Sequence, residues 1–60
     1  MSFRVARVKA GKKVSEVADF LGVSEVTVWM WETGKTVPRL PRLKKLADFL
    51  GVTVDELLKE

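Results

Sequence analysis

The sequence predicts an all-α fold, a compact five-helix bundle in which the second and third helices form a helix-turn-helix. Three observations carry that reading. The first is the stretch from Ala18 to Gly34, Ala-Asp-Phe-Leu-Gly-Val-Ser-Glu-Val-Thr-Val-Trp-Met-Trp-Glu-Thr-Gly. An apolar-faced helix ends at Gly22, Val23 crosses the gap, and Ser24 has the side-chain oxygen to cap a new helix that stops at Gly34. Two short helices joined by such a turn form a motif whose second member often enters the DNA major groove. The second observation is that Ala18-Asp19-Phe20-Leu21-Gly22-Val23-Ser24 returns as Ala47-Asp48-Phe49-Leu50-Gly51-Val52-Thr53, changed only in its last residue. Two copies fall short of the three or more that a solenoid needs, so one helix–Gly–Val–cap solution serves two corners of a bundle. The third is the helical spacing of apolar residues elsewhere. Val26-Thr27-Val28 is β-prone, but it lies inside a capped helical frame.

The first helix is expected over residues 2–10, with Ser2 as cap, Gly11 past its end, and Phe3, Ala6 and Ala10 as its apolar stripe. The second covers 14–21, with Val14, Val17, Ala18 and Leu21 facing inward. Its start is weakly marked, because Lys12 and Lys13 are not capping residues, and Ser15 is an alternative cap. The third covers 25–33. The loop Gly34-Lys35-Thr36-Val37-Pro38-Arg39 then rules out a continued helix. The fourth covers 40–50, with Pro41 in its first turn and Leu43, Leu46, Ala47 and Leu50 as its stripe. The fifth runs from Val54 to Lys59, opened by the Thr53-x-x-Glu56 spacing of a capping box.

With 60 residues, the chain reads as one domain, residues 1–60. A chain of this size buries only about 60% of the surface its unfolded form exposes. It has no cysteine and no histidine, which removes disulfides, thiolate metal sites, the commonest general base and the commonest neutral metal ligand. An enzyme would therefore need a carboxylate dyad or an activated lysine. Asp19 and Asp48 hold equivalent places in the repeat, but a solvated helix face explains both, and so small a bundle has little room for a deep pocket. No catalytic residue, metal ligand, cofactor or small-molecule ligand is expected. No apolar run approaches the roughly 18 residues of a membrane span, no signal peptide is evident, and the expected location is cytoplasmic. The net charge is +3. Arg4, Arg7, Lys9, Lys12 and Lys13 precede the first acid, and Lys35, Arg39, Arg42, Lys44 and Lys45 lie between Glu32 and Asp48 without one. These two basic blocks flank the helix-turn-helix. They read either as solvated faces or as groups that release counterions from a phosphate backbone, and the motif between them favours DNA.

Arg7, Val17-Ala18, Leu21-Gly22-Val23-Ser24, Thr27-Val28, Trp31-Glu32-Thr33-Gly34-Lys35, Pro38, Leu46-Ala47, Leu50-Gly51-Val52 and Asp55-Glu56-Leu57 occur in an order that resembles the lambda-repressor-like helix-turn-helix domain. The group is that of the Xre/Cro bacterial and phage transcriptional regulators, and the resemblance covers nearly the whole chain. It implies a sequence-specific regulator of double-stranded DNA, a repressor above all, that reads the major groove with its third helix. Val28 and Trp31 match core positions, as their i, i+3 spacing independently suggests. Glu25, Val26, Trp29 and Met30 match the positions that read bases. Thr27, Lys35, Thr36, Arg39 and Arg42 match positions that touch phosphates. Lys13, with Lys12 behind it, stands near the place where the family commonly has a phosphate-binding glutamine. Arg7 and Glu32 match a structural ion pair, against the alternative of two separate surface charges.

The reading positions depart from the usual pattern. Groove readers commonly present Arg, Lys, Asn or Gln, whereas here one acid sits among apolar side chains. Three readings follow: readout through thymine methyls, a Glu–cytosine contact and DNA shape; a protein-interaction module, such as an anti-repressor or adaptor, that uses the apolar face; or a rotated helix with Trp29 packed inward. Tight DNA binding by so small a unit favours a homodimer on a palindromic site, with Leu57 and Leu58 as candidate contacts.

Overall fold

Polar groups at the helix starts set the frame. The computed structural model describes residues 2–58. In it the helices are α1 (Phe3–Lys9), α2 (Val14–Leu21), α3 (Glu25–Glu32), α4 (Leu40–Leu50) and α5 (Val54–Leu58). Lys59, the expected end of the last helix, lies outside the described residues, as do Met1 and Glu60. Ser2 Oγ accepts the Val5 N–H at 3.1 Å, and Ser24 Oγ accepts the Thr27 N–H at 3.2 Å. Thr53 and Glu56 form the full reciprocal box: the Glu56 N–H donates to Thr53 Oγ1 at 3.1 Å, and the Thr53 N–H to Glu56 Oε1 at 3.1 Å.

The start of α2 settles differently from the Ser15 alternative. The helix begins at Val14, so Ser15 lies inside its first turn. Lys13 holds the cap position, and its ammonium has nothing with which to accept an N–H. Only the reciprocal half of a box is made, with the Lys13 N–H donating to Glu16 Oε1 at 3.0 Å. The carboxylate also lies in the first turn, where the helix dipole favours an acid.

The two copies of the repeated segment end their helices alike. The Val23 N–H donates to the Ala18 carbonyl and the Val52 N–H to the Ala47 carbonyl, both at 3.0 Å, the bond of a Schellman turn. Gly22 at φ 68° and Gly51 at φ 72° provide the left-handed step between. Ala18 with Leu21, and Ala47 with Leu50, are buried. The aromatic members meet on the outside: the rings of Phe20 and Phe49 stack with centroids 4.3 Å apart and planes at 16°. Lys12 Nζ lies 4.9 Å from the Phe49 ring centre. The repeat thus pairs α2 with α4, a relation its sequence alone does not reveal.

The core gathers Ala6 of α1, Val17, Ala18 and Leu21 of α2, and Val28 and Trp31 of α3, closed by Leu43, Leu46, Ala47 and Leu50 of α4 and by Leu57 of α5. Phe3, Ala10 and Val14 pack at its margin, so each expected stripe faces inward. Leu57 is spent on the core and is not free for a dimer contact, while Leu58 is exposed.

A Cβ at Gly22 or Gly51 would meet no atom within 4 Å, so a side chain there suffers only the left-handed backbone. Gly22→Ala and Gly51→Ala should each lower stability by about 1–2 kcal/mol, the difference between left- and right-handed conformations for an L-residue. For a domain of this size that is a fall in Tm of roughly 4–16 °C, readable by circular dichroism. Gly22→Asn should lose less, because Asn tolerates this region.

Candidate nucleic-acid interface

The inner side of α3 is pinned and its outer side is open. Val28 and Trp31, three residues apart, are buried at 3% and 6% exposure. Val26 and Trp29, displaced around the helix, stand at 62% and 59%. Glu25 at the first position is exposed as well, and Met30 is half-buried on the flank. The rotated helix with Trp29 packed inward is therefore not what the chain adopts.

Both ends of α3 are tied. At the N-terminus Ser24 Oγ lies 3.0 Å from Thr27 Oγ1 besides accepting the Thr27 N–H, so the half-buried Thr27 hydroxyl is held against its own cap. At the C-terminus Arg7 Nε donates to Glu32 Oε2 at 2.6 Å and Nη2 to Oε1 at 3.4 Å, a forked pair between α1 and α3. The two side chains are only 16% and 10% exposed. Sequence reasoning missed a third bond, from Arg7 Nη1 to the Lys12 carbonyl at 3.0 Å, which ties the α1–α2 turn to the same guanidinium. Nothing in residue type marks a backbone carbonyl as its partner.

The candidate phosphate-binding cations are exposed on the segments that precede and follow α2–α3 in the chain. Lys13 is exposed at the start of α2, Lys35 and Thr36 are exposed in the loop after α3, and Arg39 and Arg42 are exposed at the start of α4. The loop is anchored by two backbone donors, Lys35 at 3.0 Å and Thr36 at 3.4 Å, on the Met30 carbonyl, and by the buried Pro38. Lys12 differs from Lys13: it is half-buried, and its ammonium sits over Phe49. A groove lined by Arg4, Arg7, Val14, Trp29, Glu32 and Thr33 runs beside the outer face of α3 and brings Arg4 of α1 close to that helix. Among the described residues no group of three or more carboxylates could hold a metal ion, and no helix is long and apolar enough to cross a membrane.

A short capped helix, pinned inside by two apolar residues and joined to its predecessor through a glycine turn, defines a helix-turn-helix domain. The chain belongs to the helix-turn-helix family of Xre and lambda-repressor type, whose model matches residues 3–57. It is similar to an HTH-type transcriptional regulator, YonR, derived from the SPbeta prophage of Bacillus subtilis, with 42% identity over 88% of this chain and 49% of that protein. It is also similar to the transcriptional repressor RstR of the cryptic phage CTXphi in Vibrio cholerae, with 37% identity over 95% of this chain and 51% of the repressor. The HTH-type transcriptional activator BcrR of Enterococcus faecalis is 35% identical over 92% of this chain and 28% of its own length. The chain thus spans about half the length of two of these relatives and less of the third. No solved structure matches it significantly.

Arg7→Ala and Glu32→Ala should each destabilise the domain by about 1–3 kcal/mol, the range for a charge-assisted hydrogen bond whose partner is left unpaired. Arg7→Lys should recover only part of this, because a lysine lacks the fork that reaches both Glu32 and the Lys12 carbonyl. Thermal or urea melts of the three variants provide the check.

Proposed function

We propose that this chain is a transcriptional regulator that binds double-stranded DNA in a sequence-specific way and acts by occupying a promoter-like site, as a repressor. The observation that carries this reading is α3 itself, clamped at both ends and buried on one side, with its other side exposed and exposed cations on the chain segments before and after the helix-turn-helix. In the complex α3 lies in the major groove. Glu25, Val26 and Trp29 face base edges, and the half-buried Met30 reaches them from the flank. Lys13, Thr27, Lys35, Thr36, Arg39 and Arg42 meet phosphates and set the register. The names of the three relatives, all transcriptional regulators, support a regulatory role, and for the repressor reading the support comes from RstR, since BcrR is named an activator. Binding alone accounts for such a role, with no cofactor and no chemical step, and its setting is the bacterial cytoplasm.

A single module buries roughly 600–1,000 Å² on DNA, at the small end for specific binding. Two copies on a palindromic site, about one helical turn apart, give tight binding. In such a dimer Leu58, which is exposed, is available at the contact and Leu57 is not.

Gel-shift titration of a duplex selected from a random pool, repeated across salt concentrations, tests the proposal. Affinity should fall steeply with salt. Lys35→Ala and Arg39→Ala should each weaken binding to all sequences alike and flatten the log–log salt slope by about 0.9 for each lost phosphate contact. A protein with no duplex affinity at low salt would instead be an adaptor that meets other proteins through its apolar helix.

A further inference from the structure

Apart from Glu25, the polar side chains of α3 and its ends already make hydrogen bonds within the protein. Ser24 and Thr27 bond to each other, Glu32 is held by Arg7, and Thr33 Oγ1 donates to the Met30 carbonyl at 3.2 Å. The helix, Glu-Val-Thr-Val-Trp-Met-Trp-Glu, contains no Arg, Lys, Asn or Gln. Its outward groups are then one carboxylate, Glu25, and apolar surface from Val26, Trp29 and the flank of Met30. The Trp29 indole N–H is a single donor and cannot make a paired bond. In the major groove guanine offers two acceptors, and adenine is read by a paired donor–acceptor group. Guanine finds no complement on this face, and adenine meets Glu25 only through a single bond from N6 that leaves N7 unread. The features that find their complement are the C5-methyl group of a pyrimidine, for apolar contact, and the N4 amino group of cytosine, for an acceptor.

We infer that the outer face of α3 detects pyrimidine C5-methyl groups, so that binding weakens when thymine loses its methyl and tightens when a cytosine under the helix gains one. The inference rests on the DNA-binding reading above and names what that face recognises. Val26 and Trp29 are already exposed in the free protein, so a methyl group docked against them removes apolar surface from water on both sides without repacking the core. Methylated cytosine fits best of all, since it presents an N4 donor for Glu25 beside a methyl for its apolar neighbours. Arg4, on the same groove as Trp29, adds a cation at the edge of the face without adding a base-reading fork to α3.

The test begins with a duplex selected from a random pool. Within the segment protected by α3, each thymine is replaced by uracil and each cytosine by 5-methylcytosine, one at a time, so that a single methyl changes and base pairing does not. At methyl-contacting positions, Kd should rise about fourfold on removal and fall by a similar factor on addition, the equivalent of about 0.8 kcal/mol for one buried carbon group. The same exchanges in the flanks should have no effect. In Val26→Ala and Trp29→Ala, whose exposed sites leave the core intact, the methyl dependence should shrink. If duplex binding and its salt slope persist while no methyl exchange moves Kd by as much as twofold, methyl detection is wrong and the DNA-binding reading stands. Methyl detection by this face is equally wrong if both variants keep the full methyl dependence. If no duplex is selected at low salt, the DNA-binding reading fails and the inference with it.

Discussion

One guanidinium decides how α3 is presented. Arg7 is fixed in α1, and its fork reaches the last residue of α3 and the carbonyl of the turn into α2. Among the described residues, its pair with Glu32 is the one side-chain hydrogen-bonded link between positions far apart in sequence. All the other side-chain hydrogen bonds span five residues or fewer and finish local caps and turns. A guanidinium suits the task because its donors lie in a rigid plane, so one side chain sets the angle and the distance together. The pair is mostly shielded but still touches water. Its attraction is stronger than that of a surface pair, and it escapes most of the desolvation that burdens a deeply buried one. Ser24 at the other end and Val28 and Trp31 beneath then leave α3 little freedom to roll.

That anchoring matters because the hydrophobic core is small. The buried side chains from five short helices amount to little more than one layer, and domains of this size are marginally stable. The repeated Ala-Asp-Phe-Leu-Gly-Val segment adds to it from outside. A stacked aromatic pair contributes about 0.5–1.5 kcal/mol beyond its buried area, and an exposed cation–π contact about 0.5–1 kcal/mol. Phe20 and Phe49 thus fasten α2 to α4 beside the core, with Lys12 over the ring of Phe49, the more buried of the two. Trp29 is a different case. At 59% exposure it stands apart from the buried core. Large aromatic residues left in water beside other apolar groups form the kind of patch that serves recognition rather than folding.

Much of this was legible in the sequence because it is local. Gly22, Ser24, Thr53 and Glu56 act within a few residues of themselves, so their identities and spacing are enough to place α2, α3 and α5. Helical periodicity likewise sorts Val28 and Trp31 inward. What escaped was tertiary or backbone-directed. The repeat disclosed two similar helix ends, but not that their phenylalanines touch. The third bond of Arg7 goes to a main-chain carbonyl, which every residue carries. The start of α2 was obscure because a lysine took the cap position, leaving half of the box to Glu16 alone. Leu57 and Leu58 are adjacent and alike, and only the orientation of α5 separates the buried one from the exposed one.

The proposed interface divides its labour unevenly. In that proposal, cations at the helix starts and in the loop supply attraction to any duplex, since phosphate contacts carry no sequence information. The reading helix adds little attraction of its own, having no cation on α3 and a carboxylate at its first position. In this proposal Glu25 repels the phosphates of every sequence, and it is compensated only where a base offers it an amino donor, cytosine N4 above all, since a contact to adenine N6 leaves the adjacent N7 unread. A repulsive group of this kind lowers affinity for wrong sites more than for right ones, so it sharpens discrimination at the expense of strength. Apolar contacts act in the same direction, because a methyl fills the surface beside Val26 and Trp29 while its absence leaves that surface poorly covered. On the proposed reading, a helix built this way discriminates by what it withholds from most sequences and leaves the attraction to lysines and arginines elsewhere on the domain.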